Sequence, residues 1–492
     1  MTSRFLTLAL AATTFAVSGL PAQAQTAPPG AQRVPVGAKP GEAAPDLARQ
    51  LDQIDDPATV IKLIAQMKQQ GAFDAEMEGW KRLVELRPHI GRYRYEMAAR
   101  YAQQDRKSET YNALLELQSQ GYTFDARDDK RFEKVATTEV WKYTLDGFDG
   151  NRTLFGPGKV AYTLPKEDLL IESTAWDATR KELLVGSARE GAVYRVGKNG
   201  KLTPLVKADA ENGLWAVFDL VVDDKRGVLW VASTAMPHFK GYDAEADLGR
   251  AGIFKFDLKT GKFLKKFLSP TIVGQNYILS SIALGKDGEV YAADGVNNAV
   301  YQVRDDQFRR LFHAPMLGSI RGLAVSGDGK TLYLGDHERG VIGYDIGTGK
   351  PFDVRVPKNL SLGLIEGIAW WNGSLVVVQN NLPPSRIMRL TLSADGRSIE
   401  KVQPLAANDP TLTAPTLGTL AGDTFYVIAN SQKDNYDRFG LLKDKNKLEG
   451  TRIYSVDASY APPEQQTPRM PTLLPSDAKP GQGMTPKPKA GG

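Results

Sequence analysis

Two hydrophobic periodicities divide the chain. From residue 45 to 140, apolar side chains recur every three or four positions, the spacing of one helix face. Val60, Leu63, Ile64 and Met67 form a first face that Gly71 ends; Trp80, Leu83, Val84 and Leu86 form a second, closed by Pro88. Tyr95, Ala98, Ala99 and Ala102 make a third with small residues, and Tyr111, Leu114, Leu115 and Leu117 a fourth, ended by Gly121. The pattern predicts short helices joined by tight turns.

From about residue 150 the period changes to that of short strands between Gly, Asp and Asn turns. Second strands read ELLVGS, VLWVAS, EVYAAD, TLYLGD, SLVVVQ and TFYVIAN, each after a polar turn and a small-apolar first strand. Aligned on Leu184, Trp230, Tyr291, Tyr333, Val376 and Tyr426, the units step by 46, 61, 42, 43 and 50 residues. Six such units predict a mainly β chain, a six-bladed β-propeller over 150–457 behind a small α-helical domain. The last unit lacks an outer strand after Val456, while KVAYTL (159–164) precedes the first unit. That early strand is expected to complete blade six and lock the ring.

The ends differ from both regions. Arg4, the apolar stretch Phe5–Leu20 and Ala22-Gln23-Ala24 predict a Sec-type export signal cleaved after Ala24, with a periplasmic or secreted product and no membrane span after signal removal. Residues 25–44 predict a flexible Pro/Gly/Ala linker, and 461–492 a disordered Pro/Gly/Lys tail.

Composition narrows the chemistry. The 492 residues include no cysteine and four histidines, which excludes thiolate nucleophiles, Cys-ligated metals and disulfides and disfavours a multi-histidine centre. Lys+Arg number 62 against 57 Asp+Glu, a balance too dilute to point to nucleic acid. Carboxylates, hydroxyls, amides and Arg/Lys remain.

The stretch YEMAARYAQQDRKSETYNALLEL resembles a tetratricopeptide-like helical array, which implies either a partner-binding groove or a packing cap for the next domain. The recurring G(L/I)A…DG…LY(V/L)…D…(V/I)…YD pattern resembles the six-bladed propellers of the gluconolactonase and regucalcin (senescence marker protein) superfamily, with NHL-repeat and strictosidine-synthase-like proteins nearby. That resemblance implies a divalent cation, usually calcium, held on the propeller axis by residues at the starts of first strands. Here those positions hold Glu172, Asp219 beside Phe218, Ser280 or Ser281, Arg321, Glu366 and Thr416. Glu172 stands in ESTAW where the family has E-G-P-x-W, and Glu366 in IEG where it has P-D-G. Both amide ligands are replaced, one by Phe218 and one by Arg321.

Calcium wants six to eight oxygens, and an arginine in the same channel repels it. Glu172, Asp219 and Glu366 are therefore candidate metal ligands or catalytic carboxylates. With Arg321 they are equally a site for a small polar or anionic molecule, or a buried ion network that plugs the axis. Ser281, Thr416, Asn380 and Asn430 are candidate binding residues. His238, in the blade-two insertion 234–252, is a candidate general base over the channel. His337, in GDHERG, reads as a satisfied turn histidine. Two function classes follow: a binding protein that takes a ligand or partner protein at the channel mouth, or a metal-dependent lactonase/esterase-type hydrolase.

Overall fold

The computed structural model describes residues 49–462 apart from 273, 381 and 383. The predicted export signal and linker, Asn381, and the tail from residue 463 lie outside the described residues. Among the described residues no helix is long and apolar enough to cross a membrane.

Helices Pro57–Gln69, Phe73–Leu86, Gly91–Gln103 and Lys107–Ser119 follow the predicted faces. Asp56 caps the first, accepting the backbone N–H groups of Ala58 (3.2 Å) and Thr59 (3.0 Å), with Pro57 at the first helical position. The third and fourth bury Tyr95, Ala98, Ala99, Ala102, Tyr111, Leu114 and Leu117 in one core. A further helix, Glu139–Gly150, carries the helical region past the expected boundary at 140. Its Gly147 and Gly150 disguise it in the sequence. Gly147 belongs there because a Cβ would meet the Gln118 side chain, whose Nε2 is 1.5 Å away. That helix adds Trp141, Leu145 and Phe148 to the same core, which also takes in Leu382 of the propeller.

Six four-stranded antiparallel sheets follow. The first strands of consecutive blades touch all round the circle, and the first strand of blade six returns to that of blade one. The predicted closure is present: Lys159–Thr163 pairs with Arg452–Asp457, Lys159 opposite Ser455 and Thr163 opposite Arg452. A strand from before blade one thus covers the last edge of blade six. Leu184, Trp230, Tyr291, Tyr333 and Val376 are buried, and Tyr426 stacks on Trp176 with ring centroids 5.8 Å apart. Their period is that of the packed layer between blades.

The helical region packs on blades four and five through buried polar groups. Arg386 donates to Gln379 Oε1 (2.7 Å), the Gln120 carbonyl (2.8 Å) and the Ser361 carbonyl (3.0 Å). The Tyr122 and Ser361 hydroxyls lie 2.8 Å apart, Arg87 pairs with Glu338, and Asn408 donates to the Asn151 carbonyl (2.6 Å). The buried Arg386 guanidinium and the Gln120 carbonyl complete their hydrogen bonding across that boundary.

Candidate functional site

One backbone irregularity recurs around the axis. In blades one to five the register between first and second strands skips one residue near the start: Glu172, Phe218, Ser280, Arg321 and Glu366 in turn. A bulged residue leaves the ladder and its side chain is re-aimed. All five line a single cavity of about 250 Å³, together with Thr416, Asn380, Ser431 and Lys433.

The bulges correct two expectations. Asp219 does not face the channel; Phe218 does, and Asp219 is buried between blades two and three. Its Oδ1 accepts the Leu220 N–H (2.8 Å), and its Oδ2 accepts the Ile282 N–H (2.8 Å) and the Ser281 hydroxyl (3.1 Å). Ser281 is likewise turned into that contact, and Ser280 takes the channel position, donating to the Ile320 carbonyl at 3.0 Å.

Three carboxylates, Glu172, Glu366 and Asp434, and two cations, Arg321 and Lys433, line the cavity. Ser431 donates to Glu172 at 2.6 Å. Burial pushes the Glu172 carboxyl above its ordinary range, against the pull of Ser431 and Lys433, and the charge of Glu366 adds to the rise. Glu366 moves the other way. Burial is the largest single influence on it and works upward, but His337 and the Arg321 charge together outweigh it and hold the carboxyl low. His337 Nδ1 stands 3.3 Å from Glu366 Oε1, off the hydrogen-bonding direction. Arg321 forms no ion pair among the described residues, and its buried Nε has no hydrogen-bond acceptor. The buried Thr416 hydroxyl is also without a partner.

The other candidates fall elsewhere. His238 is not among the residues lining the cavity; its ring meets Tyr436 edge-on, centroids 6.0 Å apart, and its carbonyl accepts from Arg189 at 2.6 Å. The blade-two insertion there packs against the blade-six excursion, as Arg189 also donates to the Gly440 carbonyl at 3.0 Å. Asn430 staples blade six: its Oδ1 accepts the Arg452 N–H (2.6 Å) and its Nδ2 donates to the Gly450 carbonyl (3.3 Å). Asn380 does line the cavity.

Sequence reasoning missed Lys433 and the contact of His337 with Glu366. Both residues follow the second strand of their blade. That strand runs antiparallel to the first, so the turn after it shares a rim with the first strand's start. That topological equivalence was the available signal.

The axial calcium implied by the resemblance does not fit these residues. Glu172, Glu366 and Asp434 line the cavity, but Arg321 and Lys433 enter with them, and both Asp219 oxygens are engaged elsewhere. Among the described residues no group of three or more His, Asp or Glu side chains is placed to hold a metal ion.

No protein-family model matches the chain, and no curated protein does. Solved structures that are similar include the PQQ-bound aldose sugar dehydrogenase of Streptomyces coelicolor, 16% identical, over 62% of this chain and 99% of that one (TM-score 0.41). A gluconolactonase from Xanthomonas campestris is 14% identical over 60% and 88% (TM-score 0.40). Virginiamycin B lyase from Staphylococcus aureus, with quinupristin, is 15% identical over 62% and 99% (TM-score 0.40). These neighbours differ in activity, and likeness at this level carries no argument about what the chain does.

Proposed function

We propose that this chain is an exported binding protein that holds a small polar or anionic molecule at the mouth of its propeller channel. The observation that carries the reading is Arg321, a half-buried guanidinium lining the cavity with a buried, unpartnered Nε and no ion pair among the described residues. A buried N–H without an acceptor is costly, and an anionic group docking on it removes that cost. Ser280, Thr416 and Asn380 line the same cavity as further polar groups. The helical region serves as a cap beside the mouth: Arg87 pairs with Glu338, the residue next to His337. Isothermal titration with small carboxylates and phosphates tests the reading. Binding that Arg321→Gln abolishes supports it; if no molecule with an anionic group binds, zwitterions included, or Arg321→Gln binds equally well, the reading is wrong. A mature chain that begins at Gln25 when recovered from outside the cytoplasm supports export, and an intact Met1 terminus argues against it.

A hydrolytic reading is the second, favoured by the opposite displacement of two neighbouring carboxyls, Glu172 upward and Glu366 downward. That is the arrangement of an acid and a base in one site. Turnover of p-nitrophenyl acetate or a simple lactone, lost in both Glu172→Gln and Glu366→Gln, supports it. Activity surviving both changes removes it.

A further inference from the structure

The charges in the channel are arranged around a ring. Blades one and four are opposite each other in a circle of six, so the carboxylate of Glu172 faces the guanidinium of Arg321 across the axis. Glu366, a second carboxylate, already has His337 beside it at 3.3 Å. Glu172 has the Ser431 hydroxyl on one oxygen, and among the described residues no hydrogen bond to the other is found. Neither Arg321 nor Lys433 makes an ion pair with Glu172, Glu366 or Asp434 among the described residues, although all five groups line one cavity. Phe218, opposite Glu366, gives the cavity an apolar wall between the two poles.

A simple anion on Arg321 meets repulsion from Glu172 and Glu366. A simple cation on Glu172 meets repulsion from Arg321 and Lys433. Only a molecule with both signs is complementary to both ends. We infer that the channel takes a small zwitterion, its anionic group on Arg321 and its ammonium group on Glu172, with the intervening carbons against Phe218. This deepens the binding reading and rests on it.

The test is isothermal titration of the full chain with glycine, β-alanine, 4-aminobutyrate and 6-aminohexanoate, each beside its matched carboxylate and matched amine, and with erythritol as a neutral polyol. The expected result is one chain length that binds about ten-fold or more tighter than both of its single-charge counterparts, since two poles are engaged in place of one. Glu172→Gln, which keeps the shape of the side chain, should erase that preference, and Arg321→Lys should shift or weaken it. Carboxylates binding as tightly as the amino acids would overturn the zwitterion while leaving an anion site in place. Binding of erythritol alone would point to uncharged hydrogen bonding and overturn it too. No binding by any probe would remove both the zwitterion and the binding reading beneath it.

Discussion

The Asp219 carboxylate of blade two accepts the backbone N–H of Ile282 in blade three at 2.8 Å. It is a strap between neighbouring first strands, one residue away from the position that faces the axis.

Replacing that strap has a calculable effect. Asp219→Asn keeps the size but exchanges one acceptor oxygen for a donor that faces N–H or O–H groups. The chain should lose about 1–3 kcal/mol of stability, the cost of a buried donor left unsatisfied. Chemical denaturation of the two proteins measures the difference; equal midpoints with equal slopes would remove the strap.

The same residue sets a pH dependence. Burial pushes the Asp219 carboxyl up to about 7, against three hydrogen bonds that favour its charged form. An unfolded aspartate titrates near ~3.9. Between those values the folded chain holds a proton that the unfolded chain has released, so stability falls as pH rises through that window. The slope contributed is at most about 1.4 kcal/mol per pH unit. Asp219→Asn should flatten it, and an unchanged slope in the variant would show that Asp219 is not its source.

Arg386 ties the helical region to blade five, and burial holds its guanidinium down to about 10. Arg386→Met leaves the carbonyl of Gln120 and the amide oxygen of Gln379 without their donor and removes one of the two donors to the Ser361 carbonyl. A loss of about 3 kcal/mol is expected, with earlier hydrogen exchange in Lys107–Ser119 than in the propeller strands. If exchange rises evenly through both regions, the residue is not a tie between them.

Glu338→Gln tests the rim contact. Arg87 is largely buried while Glu338 is 41% exposed at its side chain, so the discounted loss is about 1 kcal/mol or less. Protease cleavage between the helices should nonetheless become faster. Unchanged cleavage would place the docking energy elsewhere.

Calcium should leave thermal unfolding unchanged at millimolar concentration, because Arg321 and Lys433 share the cavity with its carboxylates. A rise of about 2 °C or more would mean a site that binds only the folded chain. That outcome would restore the cation.

What the sequence determined by itself was the architecture. The spacing of buried residues such as Leu184, Tyr291 and Val376 repeats because each blade must pack on the next, and that periodic demand is written in the order of residues. The closing strand at Lys159–Thr163 was legible for the same reason, since the last blade lacked an edge. The chemical character of the axis, with Glu172, Arg321 and Glu366, was legible too. Tertiary structure alone decided which of two adjacent residues faces that axis. Strand side chains alternate, so a bulge of one residue exchanges channel for interior, as it does between Phe218 and Asp219 and between Ser280 and Ser281. A bulge leaves no period in the sequence to read. Lys433 and His337 were missed for a related reason: both sit in irregular turns that carry no period of their own, and it is the pairing of second strand with first that brings those turns to the rim of Glu172 and Glu366.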